Sequence, residues 1–460
     1  MEAVATAPSQ PLSWHFRRTV ELAAPIAVAR AAILIMVVVD TVMTGWAGTA
    51  ELAALGLGVA PLLTLMMIAL GFLQAVVVLT AQAIGAGDPR ATGAILRAGL
   101  LQALLLGMVV LAVSAFGEPF YRVTGQPEEV IPQAAAVTIA FGAGVPGMLL
   151  FVVTNLFLEA TGRPKVGMTI MLAANLLNVP LNALLVLGWG GLVAPLGAVG
   201  AIAGSSALRW LAFAAALIVL LRWEMRSGDP HGVVAALKGG GVRLTSIIRR
   251  MARIGVPVGL AQGVESAAFA AMIVLAGVIS TEAQAAHQAA ISIVQLAYMV
   301  AVGVAGAAAI RVGNAVGRNS PADMRRAGWS AIGLAGCLAA TISALLLTAP
   351  ELVARLYGLE GAALAVTAAT LAVAGLVVVF DGMMGASLGA LRGVGDVWVP
   401  FAVQAVAFWA GAVPLAAFTG IGLSLGAPGL MLGILAGVVT SFAALALRFR
   451  NVSQRPLRRA

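Results

Sequence analysis

Twelve stretches of roughly twenty or more mostly apolar residues run the length of this 460-residue chain, parted by short gaps rich in charge, proline or glycine. They fall at 19–43, 53–79, 98–116, 131–157, 167–188, 197–221, 254–279, 284–310, 327–349, 362–389, 398–418 and 427–447. A helix needs about 20 residues to cross the hydrocarbon core of a bilayer, and in lipid it satisfies its own backbone. Each stretch has that length, so the expected fold is an all-α integral membrane protein with twelve transmembrane helices. Only 10% of the residues are charged and 61% are hydrophobic, whereas soluble domains carry about 25% charge. A soluble enzyme is excluded, and no large extramembrane domain fits.

The net charge of +9 comes from 27 Lys and Arg against 18 Asp and Glu. In a soluble chain such an excess suggests a nucleic-acid partner; here it is expected to mark the cytoplasmic loops, and no nucleic-acid partner is expected. With the N-terminus inside, 23 of the 27 basic residues fall on the cytoplasmic side, among them Arg90, Arg163, Arg243, Arg311, Arg392 and Arg458. Arg122 and Arg355 fall outside, and Arg30 and Arg209 lie within spans. Both termini are therefore expected in the cytoplasm of a multi-pass inner-membrane protein. The polar start, Met1 to Ser13, carries no signal-peptide pattern. A single cysteine, Cys337, rules out an intrachain disulfide and offers no redox or zinc motif.

Residues 222–253 carry a Gly-Gly-Gly run and seven basic residues, and divide six spans from six. The expected organisation is a cytoplasmic segment at 1–18, a first lobe at 19–221, a linker at 222–253, a second lobe at 254–447 and a basic tail at 448–460. The halves echo each other at an offset of 232, where Pro25 matches Pro257, Gly85 matches Gly317 and Pro89 matches Pro321; later, Leu158 matches Leu388 at an offset of 230. An even number of spans per half implies parallel repeats with pseudo-two-fold symmetry, an arrangement common in transporters. Pro25 and Pro257 are candidate hinges, since each removes a backbone donor early in its half.

Three acids stand in apolar runs, where ionisable groups are costly: Asp40, Glu265 and Asp381. Glu265 and Asp381, if they face one another, would hold one proton or one cation between them. Their first-half equivalents, Ile33 and Phe151, carry no acid, so Asp40 would act separately. Asn175, Asn178 and Asn182 share one helical face, as do Gln288, Ser292 and Gln295, with His287 and Tyr298 nearby. Such amides serve either as interhelical glue or as substrate ligands. Met36, Phe269, Phe380 and Met384 are candidates for lining an adaptable apolar cavity.

The runs Glu21-Leu22-Ala23-Ala24-Pro25 to Val39-Asp40-Thr41, Gly255-Val256-Pro257 with Glu265, Ala285-Ala286-His287-Gln288, Ile310-Arg311-Val312-Gly313-Asn314, and Asp381-Gly382 with Gly389-Ala390-Leu391-Arg392-Gly393 resemble the multidrug and toxin extrusion (MATE) family over residues 15–447. Glu265, Asp381 and the Ala-Ala-His-Gln run resemble its NorM branch. The resemblance implies a two-lobed antiporter that expels cationic amphipathic compounds in exchange for sodium ions or protons. Glu265 and Asp381 would form the second-lobe cation site, holding sodium if the exchange is sodium-coupled, and Asp40 would be the first-lobe acid. Family members with a first-lobe site have an acid on the fifth span, where this chain has Asn178 and Asn182.

The expected protein is no enzyme and needs no cofactor beyond its coupling ion, Na+ or H+. Its partners are small cationic substrates and the bilayer, and a monomer is expected. A flippase for lipid-linked precursors would favour a basic central cavity, but the three acids outnumber Arg30 and Arg209. An intramembrane enzyme would need a metal motif such as His-Glu-x-x-His, which does not occur.

Overall fold

The computed structural model describes residues 11–239, 244–355, 360–457 and 459. Arg243, Arg458, the first ten residues and the last two glycines of the linker run lie outside these. All regular structure among the described residues is helical. Among the described residues twelve helices are long and apolar enough to span a membrane: α1 (Leu12–Ala47), α2 (Thr49–Gly85), α3 (Ala91–Ser114), α4 (Ile131–Ala160), α5 (Pro164–Leu185), α6 (Gly197–Arg226), α7 (Leu244–Ile279), α8 (Thr281–Gly317), α9 (Pro321–Thr348), α10 (Ala363–Val394), α11 (Trp398–Gly422) and α12 (Gly426–Val452).

Each expected stretch falls on one helix, but the ends differ. Helix α7 begins at Leu244 and takes in Arg249, Arg250 and Arg253, which the sequence suggested for the linker. Hydropathy ends a span at the first charges, whereas the hydrogen-bonded helix continues into the headgroup region, where arginines are solvated. Similarly, α1 carries Arg17 and Arg18 paired with Glu21 at 3.0 and 2.9 Å.

Local chemistry sets several boundaries. The Ala283 N–H donates to Ser280 Oγ at 3.0 Å, capping α8. Pro164 and Pro321 start α5 and α9, where a missing N–H costs nothing. In α11 the turns widen to π geometry at Val406–Ala412 and Phe418–Gly422, flanking Pro414. Such widening is one way a helix absorbs a proline.

The described part of the linker is folded. Asp229 accepts the N–H groups of Val234 and Ala235 at 3.0 Å each, opening a short helix at Val233–Leu237. His231 Nδ1 lies 2.8 Å from Glu224 Oε1, and the His231 carbonyl accepts the Gly93 N–H at 2.8 Å, tying the segment to α3.

The described residues fall into two compact units. The N-terminal unit takes those of 29–80 and 88–259, and the C-terminal unit those of 1–28, 81–87 and 260–460. In the N-terminal unit α4 is the most buried span and packs against α2, α3 and α6. In the C-terminal unit α8 lies along α10. Gly389 and Gly393 of α10 meet the carbonyls of Ala305 and Ala309, and a Cβ on Gly393 would stand 2.7 Å from the Ala309 oxygen. This small-residue seam brings the two backbones close and sets the separation of Tyr298 on α8 from Asp381 on α10.

Candidate functional site

In the C-terminal unit four helices bring Glu265, Tyr298, Asp381 and Gln404 together. Glu265 and Asp381 are 9% and 4% exposed. Gln404 Nε2 donates to Glu265 Oε2 at 3.3 Å. The Tyr298 phenol shares a hydrogen bond with Gln262 and feels both carboxylates, while the Glu265 charge acts on Asp381. Arg392 acts on Glu265 and Tyr298 from the last turn of α10, inside the helix rather than in the loop suggested by the sequence. Asp381, Tyr298, Val378 and Gly382 help to line a small cavity of about 10 Å³. Two nearby buried carboxylates repel strongly at low dielectric, so a proton or a small cation held by the pair relieves that energy.

The other predicted residues of this unit divide. Phe269 packs on Phe408 at 6.0 Å, Phe380 packs on Phe442 at 6.2 Å, and Met384 is fully buried. Gln288 and Gln295 are exposed along α8, with no hydrogen bond to either acid among the described residues. His287 is buried with both ring nitrogens unpartnered among the described residues.

In the N-terminal unit Asp40 is 3% exposed and held by α5 and α6. Asn178 and Asn182 donate to its Oδ1 at 3.0 and 2.7 Å, and Ser205 donates to its Oδ2. Asn175 instead donates to the carbonyls of Ala32 and Met171 at 2.8 and 2.9 Å, so it acts as glue. Pro25 and Pro257 both lie inside their helices, α1 and α7.

The three acids read from the sequence are not the only buried ones. Glu159, 1% exposed in the last turn of α4, lies 3.3 Å from Arg30 and accepts from Asn155 at 2.7 Å. It follows the stretch at 131–157, so hydropathy placed it outside the span. Ser205 and Gln404 also escaped notice, because single polar residues are common in spans. The available signal was only a lone hydroxyl on α6 and a lone amide on α11, each several spans along the chain from the acid it meets.

A second small cavity, of about 30 Å³, lies within the N-terminal unit and is lined by Ile33, Met36, Met148, Phe151, Val152 and Arg209, among others. At the offset of 230, Met148, Phe151 and Val152 correspond to Val378, Asp381 and Gly382 of the acid cavity. Ile33 is the equivalent of Glu265 at the offset of 232. The repeat thus reaches into the cavities, with the acids replaced by apolar side chains.

Twelve apolar helices in two corresponding halves, with carboxylates buried at helix junctions, define a multi-pass membrane transporter. The MatE family model matches residues 25–184 and again 257–418, and the two matches begin 232 residues apart, the offset of Pro25 from Pro257. The chain belongs to the MatE family. The Probable multidrug resistance protein NorM of Caulobacter vibrioides is 34% identical over 453 residues, covering 97% of this chain and 94% of that protein. Its namesake from Bradyrhizobium diazoefficiens is 31% identical over 456 residues, covering 97% and 96%. The crystal structure of the eukaryotic MATE transporter AtDTX14 superposes with a TM-score of 0.84 at 18% identity, covering 96% of this chain and 98% of that one.

Proposed function

We propose that the chain is a cation-coupled antiporter of the inner membrane, both termini cytoplasmic, that exports cationic amphipathic compounds by alternating access as a monomer. The observation that carries this reading is the meeting of Glu265 and Asp381 around Tyr298 at the junction of α7, α8 and α10. The multidrug resistance names of the NorM relatives support the substrate class.

The coupling follows from electrostatics. With both carboxylates charged, the site attracts an organic cation. A proton or sodium ion entering from outside removes that attraction, and the compound leaves outward. Release of the ion inward restores the negative site. Exchange requires only that ion and compound compete, or that each favours the opposite state.

The test is ethidium efflux from proteoliposomes under a sodium gradient alone and a proton gradient alone. Efflux is expected under at least one, and Glu265→Gln and Asp381→Asn should abolish it. Variants reconstituted to equal density that retained gradient-driven efflux would overturn the assignment. The gradient that drives the wild-type protein identifies the ion.

A further inference from the structure

Gln404 is the neutral side chain that α11 lends to the acid site. It is 1% exposed, and its Nε2 donates to Glu265 Oε2 at 3.3 Å. A charge-assisted hydrogen bond is ordinarily about 2.7–2.9 Å long, so this amide is placed more by its helix than by the carboxylate. Two contacts seat that helix on α7. Trp409 Nε1 donates to the Val264 carbonyl at 3.1 Å, one residue before Glu265, and Phe408 packs on Phe269, one turn beyond it. In an α-helix a residue five places on points about 140° away. The turns of α11 widen to π geometry at Val406–Ala412, which brings Trp409 round toward the face of Gln404.

The backbone thus keeps Gln404 opposite Glu265, and the freedom left to the side chain is at its end. The torsion carrying the amide is broad and roughly two-fold, and a half-turn about it exchanges the NH2 donor for the carbonyl acceptor. While Glu265 is charged and has no ion, the donor is the end that answers it. Once a cation lies against Glu265, the same N–H faces positive charge and the carbonyl oxygen is the end that fits. The cavity beside Asp381 and Tyr298 has about 10 Å³, space on the order of one water molecule, which suits a small ion. The other charged and polar groups of the site, Gln262, Tyr298, Asp381 and Arg392, stand on α7, α8 and α10.

We infer that Gln404 is a further ligand of the coupling ion, its amide turning over as the ion arrives, from N–H donor toward Glu265 to carbonyl acceptor for the ion. Phe408 and Trp409 are positioning residues that hold α11 in register meanwhile. The same acceptor serves a sodium ion lying against the acids or the O–H of a carboxyl that has taken up the proton. This inference rests on the antiporter reading and adds to it a residue that sets how tightly the ion is held.

The test is infrared difference spectroscopy of the full chain in proteoliposomes, with heavy carbon at the glutamine side-chain carbonyl. Sodium is added at constant pH and, separately, acid is added without sodium. In wild type the labelled amide band should shift with one of the two ions, together with a carboxylate band that Glu265→Gln removes; the ion that moves both is the source. Gln404→Met should abolish the amide shift and keep the carboxylate one. In ethidium efflux, Gln404→Met should raise the half-saturating concentration of the driving ion about tenfold or more, the loss of one hydrogen-bonding group to a charge. Its maximal rate should stay within about twofold of wild type. A lower maximal rate at unchanged half-saturation would assign Gln404 to packing alone and overturn the proposal, as would an amide shift that survives in Gln404→Met. A wild-type amide band that stays still while the carboxylate responds also overturns it, whatever the folding of the variant, and leaves the acid site standing. A carboxylate band silent to both ions sinks the acid site and this inference with it.

Discussion

Replacing Glu159 with leucine tests how the N-terminal unit tolerates charge in its core. The Glu159 side chain is 2% exposed, Arg30 is 14% exposed, and they meet at 3.3 Å. Removing one partner of a buried pair costs about 3–5 kcal/mol; the slight exposure of Arg30 points to the lower end, about 3 kcal/mol. Asn155 Nδ2 also loses its acceptor at 2.7 Å, adding about 1 kcal/mol. The new leucine recovers about 1 kcal/mol through its apolar contacts. The net loss is about 3 kcal/mol, or about a hundredfold in the unfolding constant. Unfolding by SDS in mixed micelles, followed by tryptophan fluorescence, gives the midpoint shift. Adding Arg30→Met removes the stranded charge, so the double variant should return to within about 1 kcal/mol of wild type. A single variant as stable as wild type, or a double variant as unstable as the single, would refute the reasoning.

Three further outcomes follow from the geometry. Gly393→Ala places a methyl 2.7 Å from the Ala309 carbonyl oxygen; parting α8 from α10 should cost about 1–3 kcal/mol and reduce ion-driven ethidium efflux more than Gly56→Ala, a substitution in open space within a helix. His287→Leu removes an imidazole buried without a hydrogen-bond partner among the described residues, so stability in the SDS assay should hold within about 1 kcal/mol or rise, and efflux should persist; lost efflux at intact stability would instead assign His287 to proton transfer. Asp229→Ala removes the acceptor at the start of the linker helix, and should cost about 1 kcal/mol locally and speed proteolytic cleavage of the linker. Burial disfavours the Asp229 carboxylate, but the N–H groups of Ala235 and Val234 win and hold its pKa below the ordinary value. A lowered folded pKa means that the clasp is intact above the usual carboxylate range and is lost as pH falls through the lowered value; the extra cleavage of the variant should accordingly vanish at strongly acid pH.

Helix count, order and repeat were legible because lipid imposes one solution on an apolar stretch of that length, and because glycine and proline kept their register between the halves. Asp40, Glu265 and Asp381 were legible for the complementary reason, that a carboxylate within an apolar run has no cheap place to go. Partner identity was less legible. Asn175, Asn178 and Asn182 share a face, but a spacing rule does not say that two reach Asp40 while the third reaches the Ala32 carbonyl. Gln404 is a single amide in α11, and its role depends on which turn of α7 it meets. Glu159 was hidden by its place at a span edge, where sequence does not distinguish a solvated acid from a buried ion pair.

The two halves share a scaffold and diverge in where they place charge. In the N-terminal unit both oxygens of Asp40 are met by neutral donors on α5 and α6, and a carboxylate so satisfied is stable without a bound cation. In the C-terminal unit Glu265 accepts one hydrogen bond of 3.3 Å from Gln404 while sharing a field with Asp381, so less of its charge is answered by fixed dipoles. An exchangeable ion binds where protein donors leave charge unanswered, since replacing three well-made hydrogen bonds yields little net gain. By that reasoning Asp40→Asn should retain much of the gradient-driven ethidium efflux that Asp381→Asn loses. Equal loss in both variants, at equal density in the proteoliposomes, would mean that the donors around Asp40 rearrange to admit the ion.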